Sequence, residues 1–226
     1  MDKNLNNLLK WSIENSVPST GDNSNPPPQS NEGVEAGART STLDRDVLAA
    51  LLGGPSDAEL MKAAMEVITD PSVELDQKLI AFDNFEQLIE SLDNANNLEN
   101  LSLWTPLLSL LAHEERELRL MAAWCVGTAV QNNVRSQERL LAMGGIPPLV
   151  GLALRDDEHE SVRKKAIYAL SSAVRNYQPA MDVAAQELRK NGQDHGKGDK
   201  LDASDMDLVD EIMGWLKQRV AETAKA

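Results

Sequence analysis

Residues 118–135 read LRLMAAWCVGTAVQNNVR, and the same pattern returns 44 residues later as VRKKAIYALSSAVRNYQP, which begins at Val162. A more diverged copy, KLIAFDNFEQLIESLDNANN, begins at Lys78 and places Phe82 42 residues before Trp124. A period near forty with alternating small and bulky apolar residues is typical of stacked helical repeats of the armadillo or HEAT type. The sequence therefore predicts an all-α fold, an armadillo-repeat α-solenoid whose stacked helices form a right-handed superhelix. A plain helical bundle with chance self-similarity is the alternative.

Three predicted units each end in one long helix that follows two short helices, which is the armadillo arrangement. The long helices are predicted near residues 75–92, 118–133 and 161–177. We assign residues 42–190 to the repeat domain, 191–203 to a Gly- and charge-rich loop, and 204–226 to a last amphipathic helix. Ser204 is the predicted N-cap of that helix, which would cover the end of the solenoid.

The first 41 residues differ in composition from the repeat domain. Residues 1–15 are predicted to form an amphipathic helix whose apolar side chains share one side, namely Leu8, Leu9, Ile13 and the neighbouring Trp11. Residues 16–41 are rich in Pro, Ser, Asn and Gly and are predicted to be a disordered linker, because they cannot bury enough apolar surface to offset their ordering entropy. A Trp-bearing helix on such a tether is either a docking peptide or a strut for the main domain.

The chain is strongly acidic, with a formal net charge of −14. Such a field repels phosphate groups, so the composition predicts neither a nucleic-acid partner nor a membrane partner. Cys125 is the only cysteine, so no internal disulfide can form. The N-terminus lacks the apolar core of a signal peptide, and no apolar run is long enough to span a bilayer. We therefore expect a cytoplasmic protein, and we expect a monomer.

The sequence offers no constellation of catalytic residues. His113-Glu114 and His159-Glu160 each resemble the start of a zinc-protease motif, but the second histidine is missing from both. The segment GQDHGKG at residues 192–198 departs from a phosphate-binding loop, because it has one residue too few between its glycines and lacks the Ser or Thr after its lysine. The sequence thus predicts no enzyme, no metal site and no cofactor.

A recurring set of side chains lies opposite the packing stripe of the long helices. The stripe is predicted at Leu118, Ala122, Val126 and Ala129 and again at Val162, Ala166, Leu170 and Ala173. The opposite positions combine one aromatic, one polar and one longer side chain in each unit. We call these nine residues the ladder: Phe82, Glu86 and Ile89, then Trp124, Thr128 and Gln131, then Tyr168, Ser172 and Arg175. Aromatic and Arg side chains outside a packing stripe are enriched where partners bind. The alternative is that each aromatic ring only covers the gap to the neighbouring unit.

Three segments resemble the fungal armadillo-type nucleotide exchange factors of the 70-kDa heat-shock chaperones. They are LLKWSIENS at residues 8–16, KLIAFDNFEQLIESLDNANN at 78–97 and GTAVQNN at 127–133. The resemblance implies that the concave armadillo face grips lobe II of the ATPase domain of a chaperone of the DnaK class. This grip would open the nucleotide cleft so that ADP leaves and ATP enters. It also implies that the N-terminal segment assists release of the client polypeptide.

The resemblance further implies which residues lie near the chaperone. The predicted loop that contains Asp93, Asn94, Ala95 and Asn97, and the helix end at Gln131 and Asn132, match motifs that the family uses near this contact. Longer family members continue with a further full repeat, for which the chain after Tyr177 is too short. The predicted function is thus nucleotide exchange on a chaperone, and the alternative is a general armadillo scaffold that binds an extended peptide.

Overall fold

The computed structural model describes residues 54–192 and 201–223. The chain divides into two units, Met1–Ser56 and Asp57–Ala226, and all described helices belong to the second unit. The predicted helix at residues 1–15, its side chains Leu8, Leu9, Trp11 and Ile13, and the predicted linker at 16–41 lie outside the described residues. The predicted loop at 191–203 is described only at its two ends.

The described residues form helices joined by short turns, without a strand among them. The α-helices are α1 (Asp57–Thr69), α2 (Leu75–Ile89), α3 (Leu92–Asn100), α4 (Trp104–Ser109), α5 (Arg116–Val130), α6 (Val134–Ala142), α7 (Ile146–Leu154), α8 (Glu160–Val174), α9 (Gln178–Lys190) and α10 (Met206–Thr223). A 3-10 turn, Leu110–Ala112, continues α4. The prediction of an all-α, armadillo-like fold is confirmed, while the right-handed sense of a superhelix stays a prediction.

The helices stack in three rows, and within each row every helix contacts its equivalent in the next unit. The long-helix row contains α2, α5, α8 and α10. A second row contains α1, α4 with its 3-10 turn, and α7, and a third contains α3, α6 and α9. This arrangement fits the armadillo type, in which each unit buries its apolar side against its neighbours.

Asparagine shapes the end of α5 and of α8. Asn132 and Asn176 both adopt the left-handed conformation, with φ of 52° and 56°. Asparagine tolerates this conformation better than most L-residues, and it lets the chain reverse directly after a helix. The next residue, Asn133, then caps α6, because its side chain accepts a hydrogen bond from the amide of Ser136 at 3.3 Å. The repeated Asn in the sequence therefore marks a repeated turn.

The predicted packing stripe is confirmed. All eight residues of the stripe on α5 and α8 are buried: Leu118, Ala122, Val126, Ala129, Val162, Ala166, Leu170 and Ala173. The two helices approach closely because Gly127 lies beneath the ring of Tyr168. A Cβ atom at Gly127 would lie 2.5 Å from Tyr168 Cε1 and 3.1 Å from the Cα of Ala169. Glycine at this position therefore sets the distance between the second and third long helices.

Two arginines, one partly exposed and one buried, connect the units near the starts of the long helices. Arg119 donates two hydrogen bonds to Glu158, at 2.6 Å from Nε and 2.8 Å from Nη2, and thereby joins α5 to the turn before α8. Arg163, its equivalent 44 residues later, donates to the carbonyl of Ala153 at 3.1 Å and to Thr223 Oγ1 at 2.6 Å. The repeated arginine thus holds each unit to the element that follows it.

The last helix, α10, packs against α8 at the end of the long-helix row. It occupies the row position of a fourth long helix, and its buried side is Val209, Ile212, Met213, Leu216 and Val220. The predicted N-cap at Ser204 is wrong: Asp205 caps α10, because its Oδ1 accepts a hydrogen bond from the amide of Leu208 at 3.0 Å. The hydroxyl of Ser204 instead donates to Asp202 at 2.7 Å.

Candidate functional site

The ladder residues of the second and third units largely lie at the surface of the long-helix row. Trp124, Thr128, Tyr168 and Arg175 are half-buried, and Gln131 is exposed. Ser172 is buried, because α6 packs against this part of α8. The amide Nε2 of Gln137 donates to the carbonyl oxygens of Ser172 and Arg175 at 2.9 and 3.1 Å. The structure therefore presents five of these six positions to solvent.

The prediction for the first unit is wrong, because Phe82 and Ile89 are core residues. Both are almost fully buried, at 0% and 1% exposure. Helix α5 begins and ends 41 residues after α2, since 116 − 75 and 130 − 89 both equal 41, whereas the sequence alignment used 42. One residue corresponds to about 100° around a helix, which is enough to turn a side chain from the surface into the core.

The corrected register places different residues on the surface of the first unit. Positions 41 residues before Trp124, Thr128 and Gln131 are Asp83, Gln87 and Glu90, and all three are exposed. This end of the long-helix row is therefore acidic and lacks an aromatic ring at the ladder position. The predicted aromatic in every unit is present only in the second and third.

Glu86 of the predicted ladder joins two units and is nearly buried. Its Oε1 accepts a hydrogen bond from Thr128 Oγ1 at 2.7 Å, which bridges α2 and α5. The side chains of Glu86 and Thr128, the polar ladder residues of the first and second units, thus face each other.

The central part of the surface is built by two rings and a lysine. Lys165 Nζ lies 3.4 Å from the centroid of the Trp124 ring and 5.7 Å from that of Tyr168. The hydroxyl of Tyr168 donates to Gln131 Oε1 at 3.2 Å, so the ring is tied to the neighbouring unit. Lys165 was not among the predicted site residues, because its contact with Trp124 joins α8 to α5 across 41 residues of sequence.

Arg175 lies where the long-helix row continues into α10. Its guanidinium forms an ion pair with Asp210. It also donates from Nε to Ser171 Oγ at 3.0 Å and lies 3.4 Å from the sulfur of Met206. The charge of this predicted partner-binding residue is therefore balanced within the chain by the last helix.

The segment predicted as a loop at Asp93, Asn94, Ala95 and Asn97 is helical and belongs to α3. Asn94 and Ala95 are buried, and Asn94 Nδ2 donates to Asp57 Oδ2 at 2.8 Å and to the carbonyl of Leu88 at 2.9 Å. Asn97 is half-buried and accepts from Asn100, whereas Asp93 is exposed. Asn94 and Ala95 therefore hold α3 in place, which leaves Asp93 as the accessible charged group.

A second exposed region runs along the edge where the long helices end. Asn132 is exposed there, directly after α5. Leu92 and Val134 are also exposed, at 58% and 54%, and each is the first residue of its helix, α3 and α6. Exposed apolar residues at equivalent positions of two adjacent units were not predicted, although their spacing of 42 residues is readable in the sequence.

The histidines of the two zinc-protease-like segments are parts of turns. His113 Nδ1 accepts a hydrogen bond from the amide of Glu115 at 2.9 Å, and His159 caps α8 by accepting from the amide of Ser161 at 3.2 Å. Among the described residues, no group of three or more His, Cys, Asp or Glu side chains could hold a metal ion. Burial raises the pKa of the Cys125 thiol well above its ordinary value. No helix in the described ranges is both long and apolar enough to cross a membrane.

The comparisons with known proteins cover nearly the whole chain. Residues 5–98 match the family described as nucleotide exchange factor Fes1, and residues 94–192 match the SIL1/FES1/HPBP1 C-terminal domain. The Hsp70 nucleotide exchange factors of Neurospora crassa and Gibberella zeae are each 59% identical to this chain, with 97% and 98% of it covered and 98% and 99% of their own lengths.

The corresponding protein of Saccharomyces cerevisiae is 44% identical over 84% of this chain, which matches only 61% of that relative. Some relatives are therefore longer, whereas the two filamentous-fungal proteins are matched almost from end to end. The resemblance found in the sequence is confirmed: the chain belongs to the Fes1 family of Hsp70 nucleotide exchange factors.

Proposed function

We propose that this chain accelerates the release of ADP from a 70-kDa heat-shock chaperone. The observation that carries the proposal is the 59% identity, over almost the full length, to proteins named as Hsp70 nucleotide exchange factors. Exchange of a bound nucleotide requires no catalytic group on the exchange factor. It asks for a surface that binds one conformation of the chaperone better than another.

The surface that we assign to this binding is the long-helix row around the ladder of the second and third units. Trp124, Tyr168 and Arg175 are residue types that dominate binding energies at protein interfaces, and each is accessible here. Trp124 and Tyr168 lie on α5 and α8, and Arg175 directly follows α8. The two helices pack closely together through Gly127, so the surface is ordered before a partner arrives. A preordered surface loses less conformational entropy on binding.

The exchange itself follows from differential affinity for the ATPase domain. A factor that binds the open, nucleotide-free domain about 4 kcal/mol more tightly than the closed domain weakens ADP binding about 1000-fold, since each 1.4 kcal/mol is a factor of ten. The same linkage requires ADP or ATP to weaken the binding of this chain to the chaperone. ATP, which is present in excess in a cell, would therefore both reload the chaperone and release the factor.

The N-terminal segment with Leu8, Leu9, Trp11 and Ile13 is proposed to assist the release of client polypeptide. The proposal is supported by the family resemblance of residues 8–16 and by the amphipathic pattern of this segment. It predicts that Trp11→Ala together with Leu8→Ala slows release of a fluorescent peptide from the chaperone. ADP release should remain unchanged, because the segment lies outside the ladder. Equal losses in both assays would contradict a separate role for the segment.

Stopped-flow release of fluorescent ADP from a full-length Hsp70 tests the main proposal. The wild-type chain should accelerate release, and Trp124→Ala with Tyr168→Ala should lose most of the acceleration. Tyr177→Ala with Trp215→Ala, which removes the same two ring types outside the ladder, is the matched control and should retain it. Absence of acceleration at saturating wild-type chain would refute the function. Tight binding of extended peptides without affinity for the ATPase domain would instead support the alternative, a general armadillo scaffold.

A further inference from the structure

A basic depression lies on the long-helix row, directly before the two rings of the ladder. It has a volume of about 410 Å³ and is lined by Leu120, Ser161, Lys164, Lys165 and Tyr168. Leu120 and Lys164 are one turn before Trp124 and Tyr168 and are themselves equivalent, since 164 − 120 equals the repeat of 44 residues. The depression therefore extends the ladder by one position across α5 and α8.

The positive charge of this depression contrasts with the rest of the chain and its row. The chain as a whole has a formal net charge of −14, and the equivalent surface of the first unit carries Asp83 and Glu90. Asp210 lies at the other end of the row, beside Arg175. Lys165 and the ion-paired Lys164 thus lie between acidic residues at the two ends of the long-helix row.

The ammonium group of Lys165 is available to a partner. Lys164 is paired with Glu160 at the start of α8. Lys165, by contrast, makes no ion pair or hydrogen bond with any group in residues 54–192 or 201–223, and its Nζ rests on the face of Trp124. Burial lowers its pKa, although the negative charge of the nearby Glu86 acts in the opposite direction. A cation that has already lost part of its hydration shell gives up less of it when an anion binds.

We infer that this depression receives a carboxylate side chain from the ATPase domain of the chaperone, with Lys165 as its principal partner and Ser161 and Lys164 at its rim. The inference rests on the proposed function and names the chemistry of one contact within it. A volume of about 410 Å³ accommodates an Asp or Glu side chain together with a few water molecules. The rings of Trp124 and Tyr168 would shield the resulting ion pair from solvent.

Binding of the full chain to a full-length, nucleotide-free Hsp70 tests this inference in three variants. Lys165→Met, which keeps the aliphatic stem and removes the charge, should weaken binding about tenfold, as expected for a partly desolvated interfacial charge pair. Lys165→Arg should retain at least half of the affinity, because the cation still reaches the ring. Lys62→Met, an exposed lysine on α1, is the matched control and should bind like the wild type.

Salt dependence separates a lost charge pair from a distorted surface. The affinity of the wild type and of Lys165→Arg should fall more steeply with added NaCl than that of Lys165→Met, because only they retain the ion pair. The inference would be overturned if Lys165→Met bound Hsp70 as tightly as the wild type. It would also be overturned if Lys165→Met and Lys165→Arg lost affinity equally and both kept the wild-type salt dependence. In either case, ADP release by the wild type would still support the proposed function. Failure of the wild type to release ADP would overturn both.

Discussion

Glu158→Gln tests the buried clamp that holds the second and third units together. The substitution keeps the shape of the side chain but removes its charge. It also places an amide NH2 group, which is a donor, opposite one of the N–H donors of Arg119. The wild-type pair has two hydrogen bonds of 2.6 and 2.8 Å, with side-chain exposures of 14% for Arg119 and 2% for Glu158. Breaking a fully buried pair costs about 3–5 kcal/mol.

Two features of the site reduce the expected cost of the substitution. In the variant, Arg119 Nη1 still donates hydrogen bonds to the carbonyl oxygens of His113 and Glu114, each at 2.7 Å in the wild type. The side chain of Arg119 is also partly exposed to solvent. We therefore expect a loss of about 2 kcal/mol in the free energy of unfolding. For a chain of this size, such a loss lowers Tm by about 4–8 °C.

Circular dichroism at 222 nm, recorded during thermal unfolding at several pH values, measures this loss. Burial alone would raise the pKa of Glu158, but hydrogen bonds from Arg119 and the amide of His159 outweigh it, so the pKa lies below the ordinary value. A lowered pKa in the folded state means that the stabilisation is present above the unfolded-state pKa and disappears as pH falls through the folded-state pKa. The Tm difference between wild type and Glu158→Gln should therefore be full at pH 7 and shrink below about pH 4.

Glu160→Gln is the matched control, since Glu160 is two residues away and its ion pair with Lys164 is solvent-exposed. It should change the free energy of unfolding by less than about 0.5 kcal/mol. The reasoning is refuted if Glu158→Gln melts within 1 °C of the wild type at pH 7, or if a larger difference stays the same down to pH 3.

Three further substitutions test the fold around the surface. Phe82→Ala should lower the free energy of unfolding in urea by about 3–5 kcal/mol, because the ring is fully buried. A loss below about 1 kcal/mol would contradict the burial of this ring. Gly127→Ala should cost about 1–3 kcal/mol, because the new methyl group collides with Tyr168, whereas Gly151→Ala, which has open space, should be neutral or stabilising. Asn132→Val should lose about 1–2 kcal/mol at its φ of 52° and Asn132→Gly much less, and equal losses would contradict a role for the left-handed turn.

The last helix, α10, continues the long-helix row beyond α8. It occupies the position of a fourth long helix in that row. It does so with Asp210 beside Arg175, and with Thr223 and Arg163 hydrogen-bonded near its other end. Helix α10 thus packs against α8 and supplies a counter-charge to Arg175.

The repeat could be predicted because it depends on the spacing of residues within each helix and on the residues that end it. The apolar stripe on α5 and α8 follows from helical periodicity, and the paired Asn132 and Asn176 mark where each long helix ends. The sequence predicts the register of the first unit wrongly by one residue, because both Phe82 and Trp124 are aromatic and therefore align with each other. The buried pattern of α2 depends on what packs against it, and that information lies in other helices.

The helical class, the repeat, the stripe that packs between units and the family could all be predicted from the order of the amino acids. These properties depend on residue spacing along one helix, or on similarity along the whole chain. The packing of the helices in three dimensions determines which ladder residues reach solvent, and it places Lys165 on Trp124 and Arg119 beside Glu158. Each of these contacts joins side chains about forty residues apart in the chain. Its geometry is fixed by the rotation and spacing of neighbouring helices, which no local pattern specifies.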